Sequence, residues 1–310
     1  MTRKIYLIFK SIVFGTIVHF KLVTCLNLIL LTTQSCRKLV SDDFPDFPSS
    51  PVINSILVAD RLLHVHVSLT EKIGEGKLPI VDNAEVIITS DNVHFDTLLH
   101  IGNSYYKSKI IVIPNVNYTL QVTIPGYNSI ICSNSIPSAP KIMNIQHINH
   151  AARDEEGNTY PAISVAFKNN PDELQYYQIV IKLQQHHQDE ELAQIQNITD
   201  PVLLNEGIPL LVFSNEIIDN DNYEMSINYT DGSLHTNLYP LIIELRAINY
   251  DYYMYLKKLY LYESGRYPED VGSGTFTNFN LHSNIPGGYG IFAGYSSTVS
   301  DTIYPYQLKY

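Results

Sequence analysis

The stretch LHVHVSL, residues 63–69, decides the fold class, because apolar and polar side chains alternate along it. Successive side chains of a β-strand point to opposite faces, so this period of two is typical of a half-buried strand. Leu63, Val65 and Val67 would then face a core, and His64 and His66 would face outward. The chain also contains 23 tyrosines and 11 phenylalanines, residue types that favour β structure. A mostly β protein is predicted.

Short strand-like segments bounded by turn signals extend on both sides of this stretch. Their spacing is typical of immunoglobulin-like or fibronectin-like β-sandwiches. A chain of 310 residues is long enough for about two domains. The sequence therefore predicts an N-terminal β-sandwich over residues 52–138 and a C-terminal β-rich domain over residues 139–310, with residues 283–310 expected to form a final hairpin.

One helix is predicted, near residues 250–263. In the run NYDYYMYLKKLYLY, residues 249–262, Tyr252, Leu256 and Leu259 fall on one helical face. Gly265 and Pro268 would end the helix.

The tyrosines of this helix are the candidate binding residues. Tyr252, Tyr253 and Tyr255 could present their rings to a sugar or to a partner protein, since tyrosine suits interfaces. The alternative is that several of these rings simply pack the helix against its sheet, and the sequence favours this alternative.

Residues 1–35 have the features of an export signal. Arg3 and Lys4 precede apolar runs, and the last run ends in TTQSC, residues 32–36. A small residue directly before a cysteine is what lipoprotein signal peptidase cleaves, so lipidation is predicted at Cys36. Residues 36–51 would form the lipid anchor and a proline-rich tether. The alternative is a membrane-anchored or ordinary secreted protein in which Cys36 is incidental.

Charge and cysteine content argue against nucleic-acid binding and against an internal disulfide. The formal net charge is −11, and it becomes −15 without the leader, which contains four basic residues and no acid. Such a polyanion repels nucleic-acid phosphates, so no nucleic-acid partner is expected. Cys132 would be the one cysteine left beside Cys36 in the exported chain, so an internal disulfide is not expected, and Cys132 is predicted to be a buried, inert thiol.

No catalytic, metal or cofactor motif is complete. His64 and His66 share a strand face but lack an identifiable third metal ligand. Residues 219–222, DNDN, lack the remaining ligands of a calcium loop. Residues 288–293, GYGIFA, match a dinucleotide fingerprint formally but lack its strand-turn-helix context. Their glycines are predicted to allow a tight turn and close backbone packing instead.

The closing motif SNIPGGYGIFAGY, residues 283–295, carries a family resemblance together with the lipobox, the proline-rich tether and the tyrosine-rich helix. The chain resembles a family of Bacteroidota lipoproteins, domain of unknown function 4249, over nearly all of residues 36–300. The resemblance implies an outer-membrane lipoprotein, facing the periplasm or the cell surface. It also implies an accessory role beside TonB-dependent receptors, and it supplies no catalytic residues.

The leading hypothesis is a non-enzymatic binding or accessory lipoprotein of a TonB-dependent nutrient-uptake system. A structural or adhesive cell-surface protein is the alternative, and a hydrolase with an unrecognised site is a third.

Overall fold

Strands dominate the protein, which confirms the mostly β prediction. The computed structural model describes residues 48–71, 79–91, 94–153, 155, 157, 159–184, 191–230, 239–266 and 280–305. Contacts divide the chain into Met1–Asp46 and Phe47–Tyr310, and the described residues all belong to the second unit. Within those residues, no helix combines the length and hydropathy needed to cross a membrane.

Seventeen strands and two helices are present in the described ranges. The strands of the N-terminal half are β1 (Pro51–Val58), β2 (Leu62–Leu69), β3 (Glu85–Ser90), β4 (His94–Thr97), β5 (Leu99–Gly102), β6 (Tyr105–Ile111), β7 (Asn117–Thr123) and β8 (Ile130–Ser135). The later elements are β9 (Ile142–Arg153), β10 (Thr159–Lys168), β11 (Tyr176–Leu183), β12 (Glu191–Leu192), β13 (Gln194–Ile195), α1 (Pro201–Glu206), β14 (Val212–Ser214), β15 (Asn222–Thr230), β16 (Leu241–Ile248), α2 (Tyr250–Arg266) and β17 (Tyr289–Val299).

One large sheet runs through both halves of the chain. Its strand order is β12-β11-β16-β17-β1-β2-β6-β5, and β14 also pairs with β11. Two four-stranded sheets accompany it, in the orders β4-β3-β7-β8 and β13-β15-β10-β9. β17 joins the two halves, because it pairs in parallel with β1 and antiparallel with β16.

Two large hydrophobic cores lie on the large sheet, one built mainly from residues before the predicted boundary at 138 and 139 and one from residues after it. The first combines β1, β2, β6 and β17 of the large sheet with β3, β7 and β8 of a small one. Its alternation is as predicted: Leu63, Val65 and Val67 are buried, and His64 is exposed. The second combines β11 and β16 with β10 and β15.

The end of the chain completes the first core, which the sequence did not indicate. Ile285 and Phe292 are buried among the side chains of the N-terminal strands. Residues 289–299 form one long strand rather than an arm of the expected hairpin. The N-terminal half therefore depends on a strand that lies more than 200 residues further along the chain.

Glycines in the closing motif allow β17 to approach β1, which confirms the prediction of close backbone packing. A Cβ on Gly290 would lie 2.0 Å from the Ile53 carbonyl oxygen, and one on Gly294 would lie 2.1 Å from that of Leu57. Gly290 also has a φ of +107°, a conformation that L side chains rarely adopt.

The predicted helix is confirmed as α2, which extends three residues beyond the predicted end. It packs on the face of the large sheet opposite the second core, where Tyr253 lies beside Ile248 and Val212. The short helix α1 was not predicted. Its start has a clear local cause, because the Asp200 carboxylate accepts from the backbone N–H of Val202 at 2.9 Å and Pro201 occupies the first helical position.

Candidate functional site: a cleft at the seam of the two halves

A polar network fixes the start of α2 to the N-terminal half. The Asn249 carboxamide oxygen accepts from the backbone N–H of Tyr252 at 3.0 Å, which caps the helix. Its Nδ2 donates to the Asn134 carboxamide oxygen of β8 at 2.9 Å. Asn134 in turn donates to Asp251 and to the Phe292 carbonyl, each at 2.8 Å. One asparagine pair therefore connects β8, α2 and β17, so the relative position of the two halves is fixed at this point.

A cleft of about 500 Å³ opens beside this network. Its walls are the β8–β9 connection, the β10–β11 connection and the start of α2, so both halves contribute to it. The residues that line it are Asn115, Ser135 to Lys141, Lys168 to Asn170, Glu173 to Tyr177 and Ala247 to Tyr250.

Two exposed side chains give the cleft an apolar surface. Leu174 is 57% exposed and Tyr250 is 52% exposed. The Tyr250 ring lies 5.6 Å from that of Tyr176, which is itself partly buried. An exposed tyrosine and an exposed leucine in the lining of one cleft offer apolar contact area and a hydroxyl together, a combination that suits ligand contact.

Charged and amide groups flank that surface. Lys141 and Lys168 are exposed, adjacent through a backbone hydrogen bond of 2.9 Å, and form no ion pair with any described residue. The Glu173 carboxylate accepts from the Asn170 and Gln175 amides at 3.4 and 3.5 Å. The Gln175 carboxamide oxygen accepts from Tyr177, whose pKa burial raises to about 12, so that this hydroxyl stays protonated.

A largely buried ion pair lies next to the aromatic residues of the cleft. The Glu206 carboxylate at the end of α1 accepts from Tyr253 Oη at 2.5 Å, Lys257 Nζ at 2.7 Å and the Ser214 backbone N–H at 2.7 Å. Burial alone would raise the pKa of Glu206, but these bonds hold it below its ordinary value. The same contacts raise the pKa of Lys257 despite its burial. Because Tyr176 packs 4.7 Å from Tyr253, this cluster also positions the aromatic wall.

The three predicted binding tyrosines do not converge on the cleft. Tyr253 is buried, and Tyr252 stacks on Tyr295 at 5.8 Å with an angle of 11° between the rings. Tyr255 is partly buried, and none of the three lines the cleft. Tyr252 and Tyr253 thus pack the helix on its sheet, which was the favoured alternative. The predicted lipidation site, Cys36, lies outside the described residues.

The cleft residues that sequence reasoning missed carry only weak signals. Tyr250 belongs to the tyrosine-rich run but lies on its first turn, outside the stripe used to predict the helix. Asn249 directly before that run is a helix-capping signal. Leu174 and the two lysines come from loops with no periodic pattern.

The structure also shows the surroundings of Cys132 and of the possible metal ligands. Cys132 is buried, 6% exposed, and burial raises its pKa to about 12. Among the described residues, no group of three His, Cys, Asp or Glu side chains could hold a metal ion.

The protein thus has two large cores on one shared sheet and a cleft where its two halves meet. The family described as "Domain of unknown function (DUF4249)" matches residues 37–301, so the chain belongs to that family. No curated protein matches the sequence. Among solved structures, it is similar to a DUF4785 family protein from Legionella pneumophila subsp. pneumophila str. Philadelphia 1, with a TM-score of 0.24 and 10% identity. That match covers 63% of this chain and 52% of the other, about half its length.

Proposed function

We propose that this protein is an outer-membrane lipoprotein, acylated at Cys36, that binds a ligand or partner without chemical turnover as an accessory component of a TonB-dependent uptake system. In this proposal the two halves are sandwich-like modules of the immunoglobulin or fibronectin type that share one sheet. The lipobox and the family likeness support the location and the partner.

The cleft at the seam is the observation that carries the binding role. It has an exposed aromatic and aliphatic surface beside amides and two lysines that form no ion pair with a described residue. These groups suit a polar ligand that has one apolar face and an anionic group. The one carboxylate in its lining, Glu173, is held by two amides, and the lining contains no histidine or cysteine that could act as a base or nucleophile.

The anchor is tested by metabolic labelling with an alkyne fatty acid. The wild-type chain should become labelled and sediment with outer membranes. Cys36→Ala should remain unlabelled. A labelled Cys36→Ala chain, or an unlabelled wild type, would contradict the lipoprotein proposal.

The accessory role is tested by affinity purification of a C-terminally tagged chain from membranes solubilised in mild detergent. A TonB-dependent receptor should co-purify with the wild type and be lost with Cys36→Ala. Tyr250→Ala should weaken capture if the cleft contacts the partner or a ligand that it delivers. Tyr304→Ala is the matched control, because Tyr304 is 75% exposed and lies outside the cleft lining. An anchored protein that purifies without a receptor would overturn the accessory role.

A further inference from the structure

The large sheet presents two different outer faces. On the half formed by β11, β16 and β17, α2 packs across the sheet. On the half formed by β2, β5 and β6, the side chains that point away from the first core include Leu99, Ile101 and Ile111, each more than half exposed. We call this second surface the basic apolar face and define it by Leu62, Leu99, Ile101, Ile111, Arg61, Lys107 and Lys109.

Alternation along the strands places these side chains on one surface. In β2, Leu63 is 1% exposed, whereas Leu62 before it is 36% exposed. In β6, Tyr106 is buried, whereas Ile111 is 53% exposed. The register pairs Leu62 with Ile111 and Leu99 with Lys107, so the exposed residues are neighbours across three strands.

The exposure of these apolar side chains is high for a folded protein. Leu99 is 59% exposed and Ile101 is 56% exposed, and both lie on β5, the terminal strand of the large sheet. With Leu62 they line a shallow groove of about 380 Å³, which also contacts Lys107 and Lys109. Contiguous exposed apolar surface of this kind marks an interaction site.

The charge of the face is opposite to that of the protein. The chain carries a net charge of −11, yet Arg61, Lys107 and Lys109 cluster here, and none of them forms an ion pair with a described residue. Asp60 is the acidic side chain at the rim of the adjoining groove. Asp96, which accepts from the Ser108 hydroxyl at 2.6 Å and the Lys109 backbone N–H at 2.7 Å, lies close by.

We propose that the basic apolar face docks on an anionic lipid bilayer. Aliphatic side chains beside lysine and arginine are the composition that binds membrane surfaces. Tyr105, two residues before Lys107 on β6, is 47% exposed on the same face, and tyrosine rings also suit the membrane interface. The proposal rests on the proposed anchor only for its setting. A tether from Cys36 to Pro51 reaches about 50 Å when extended, at roughly 3.3–3.6 Å per residue, which lets this face contact the membrane that holds the lipid.

The test measures binding of an unacylated chain that starts at Arg37 and contains the whole compact unit Phe47–Tyr310. It is co-sedimented with vesicles of equal parts phosphatidylglycerol and phosphatidylethanolamine, and with vesicles of phosphatidylcholine alone. Binding should favour the anionic vesicles and fall as salt is added. Each cation near the surface contributes a factor of about five in the partition coefficient, so Lys107→Gln with Lys109→Gln should lower it roughly 25-fold.

Matched variants separate this face from a general effect of charge or hydropathy. Arg153→Gln removes an exposed cation of β9, outside both this face and the cleft lining, and should leave vesicle binding unchanged. Leu99→Ser should weaken binding, whereas Ile131→Ser should not, because Ile131 is 55% exposed on β8 of a small sheet. Circular dichroism checks that each variant is folded.

Three outcomes would overturn the proposal. They are no preference for anionic vesicles, equal losses in the test and control variants, and a concentration-dependent dimer that Leu99→Ser abolishes, since the face would then bind a second copy. Because this chain lacks Cys36, failure here is distinct from failure of the lipid anchor, which the fatty-acid label measures.

Discussion

Replacing Lys257 by methionine tests whether the buried Glu206 cluster holds α1 and α2 together. The substitution keeps the aliphatic stem and removes the cation, so the Glu206 carboxylate, only 3% exposed, loses its counter-ion. Loss of one partner from a buried pair costs about 3–5 kcal/mol. Lys257 is 21% exposed, and Glu206 keeps its bonds from Tyr253 and Ser214, so we expect a smaller loss than this, about 2–3 kcal/mol. For a protein of this size that corresponds to a fall in Tm of roughly 5–10 °C.

The stability that Lys257→Met loses should depend on pH. In the wild type the pKa of Glu206 lies below its ordinary value, so its contribution to stability is present at neutral pH and is lost as the pH falls through the lowered pKa. In Lys257→Met, burial dominates and should raise the pKa of Glu206, which favours the protonated carboxyl in the folded state. The free-energy difference between the two proteins should therefore shrink between neutral pH and about pH 4.

Urea and thermal unfolding at several pH values measure the effect. Lys258→Met is the control, because Lys258 is the adjacent, partly buried residue of α2 and forms no ion pair with a described residue. Adding Glu206→Gln to Lys257→Met should recover part of the loss, since no buried charge then remains unpaired. A loss no greater than that of Lys258→Met, or one that stays constant into acid, would refute the reasoning.

Three further predictions concern the seam and the first core. Gly294→Ala should lower the free energy of unfolding, measured by urea titration, by more than the loss of about 1–3 kcal/mol that overpacking usually causes. The reason is that its Cβ would lie 2.1 Å from the Leu57 carbonyl oxygen. Phe292→Ala should destabilise the protein by about 3–5 kcal/mol in the same assay, since the ring is 0% exposed. Cys132 should react with a thiol reagent only on unfolding, because it is 6% exposed and burial raises its pKa to about 12.

The elements that local patterns specify were predictable from the sequence. Alternation at residues 63–69 identified β2 and its buried face, and the spacing of Tyr252, Leu256 and Leu259 identified α2. β9 was missed, because its isoleucines at 142, 145 and 148 do not follow a period of two. A register shift between residues 142 and 144 lets Ile142 and Ile145 both pack against the second core, whereas Ile148 lies on the opposite face and is 44% exposed.

The long-range features were not predictable, since no local signal specifies them. Nothing near Val52 indicates that Tyr289 lies beside it, although the glycines at 290 and 294 indicated a close backbone approach. The cleft depends on this pairing and on the asparagine pair at residues 134 and 249, which connects segments more than 100 residues apart. Its residues could be recognised only after the two halves were assembled.

The parallel pairing of β1 with β17 also determines the order in which the protein can be completed. A ribosome makes Pro51–Val58 more than 200 residues before Tyr289–Val299, so β1 has only β2 as a sheet neighbour until β17 has been made. During that time the first core lacks Phe292 and Ile285. Because contacts between residues so distant in sequence form slowly, closure of the N-terminal half should be a late step of folding. A truncation before Tyr289 would therefore remove β17 and leave the core of the N-terminal half incomplete.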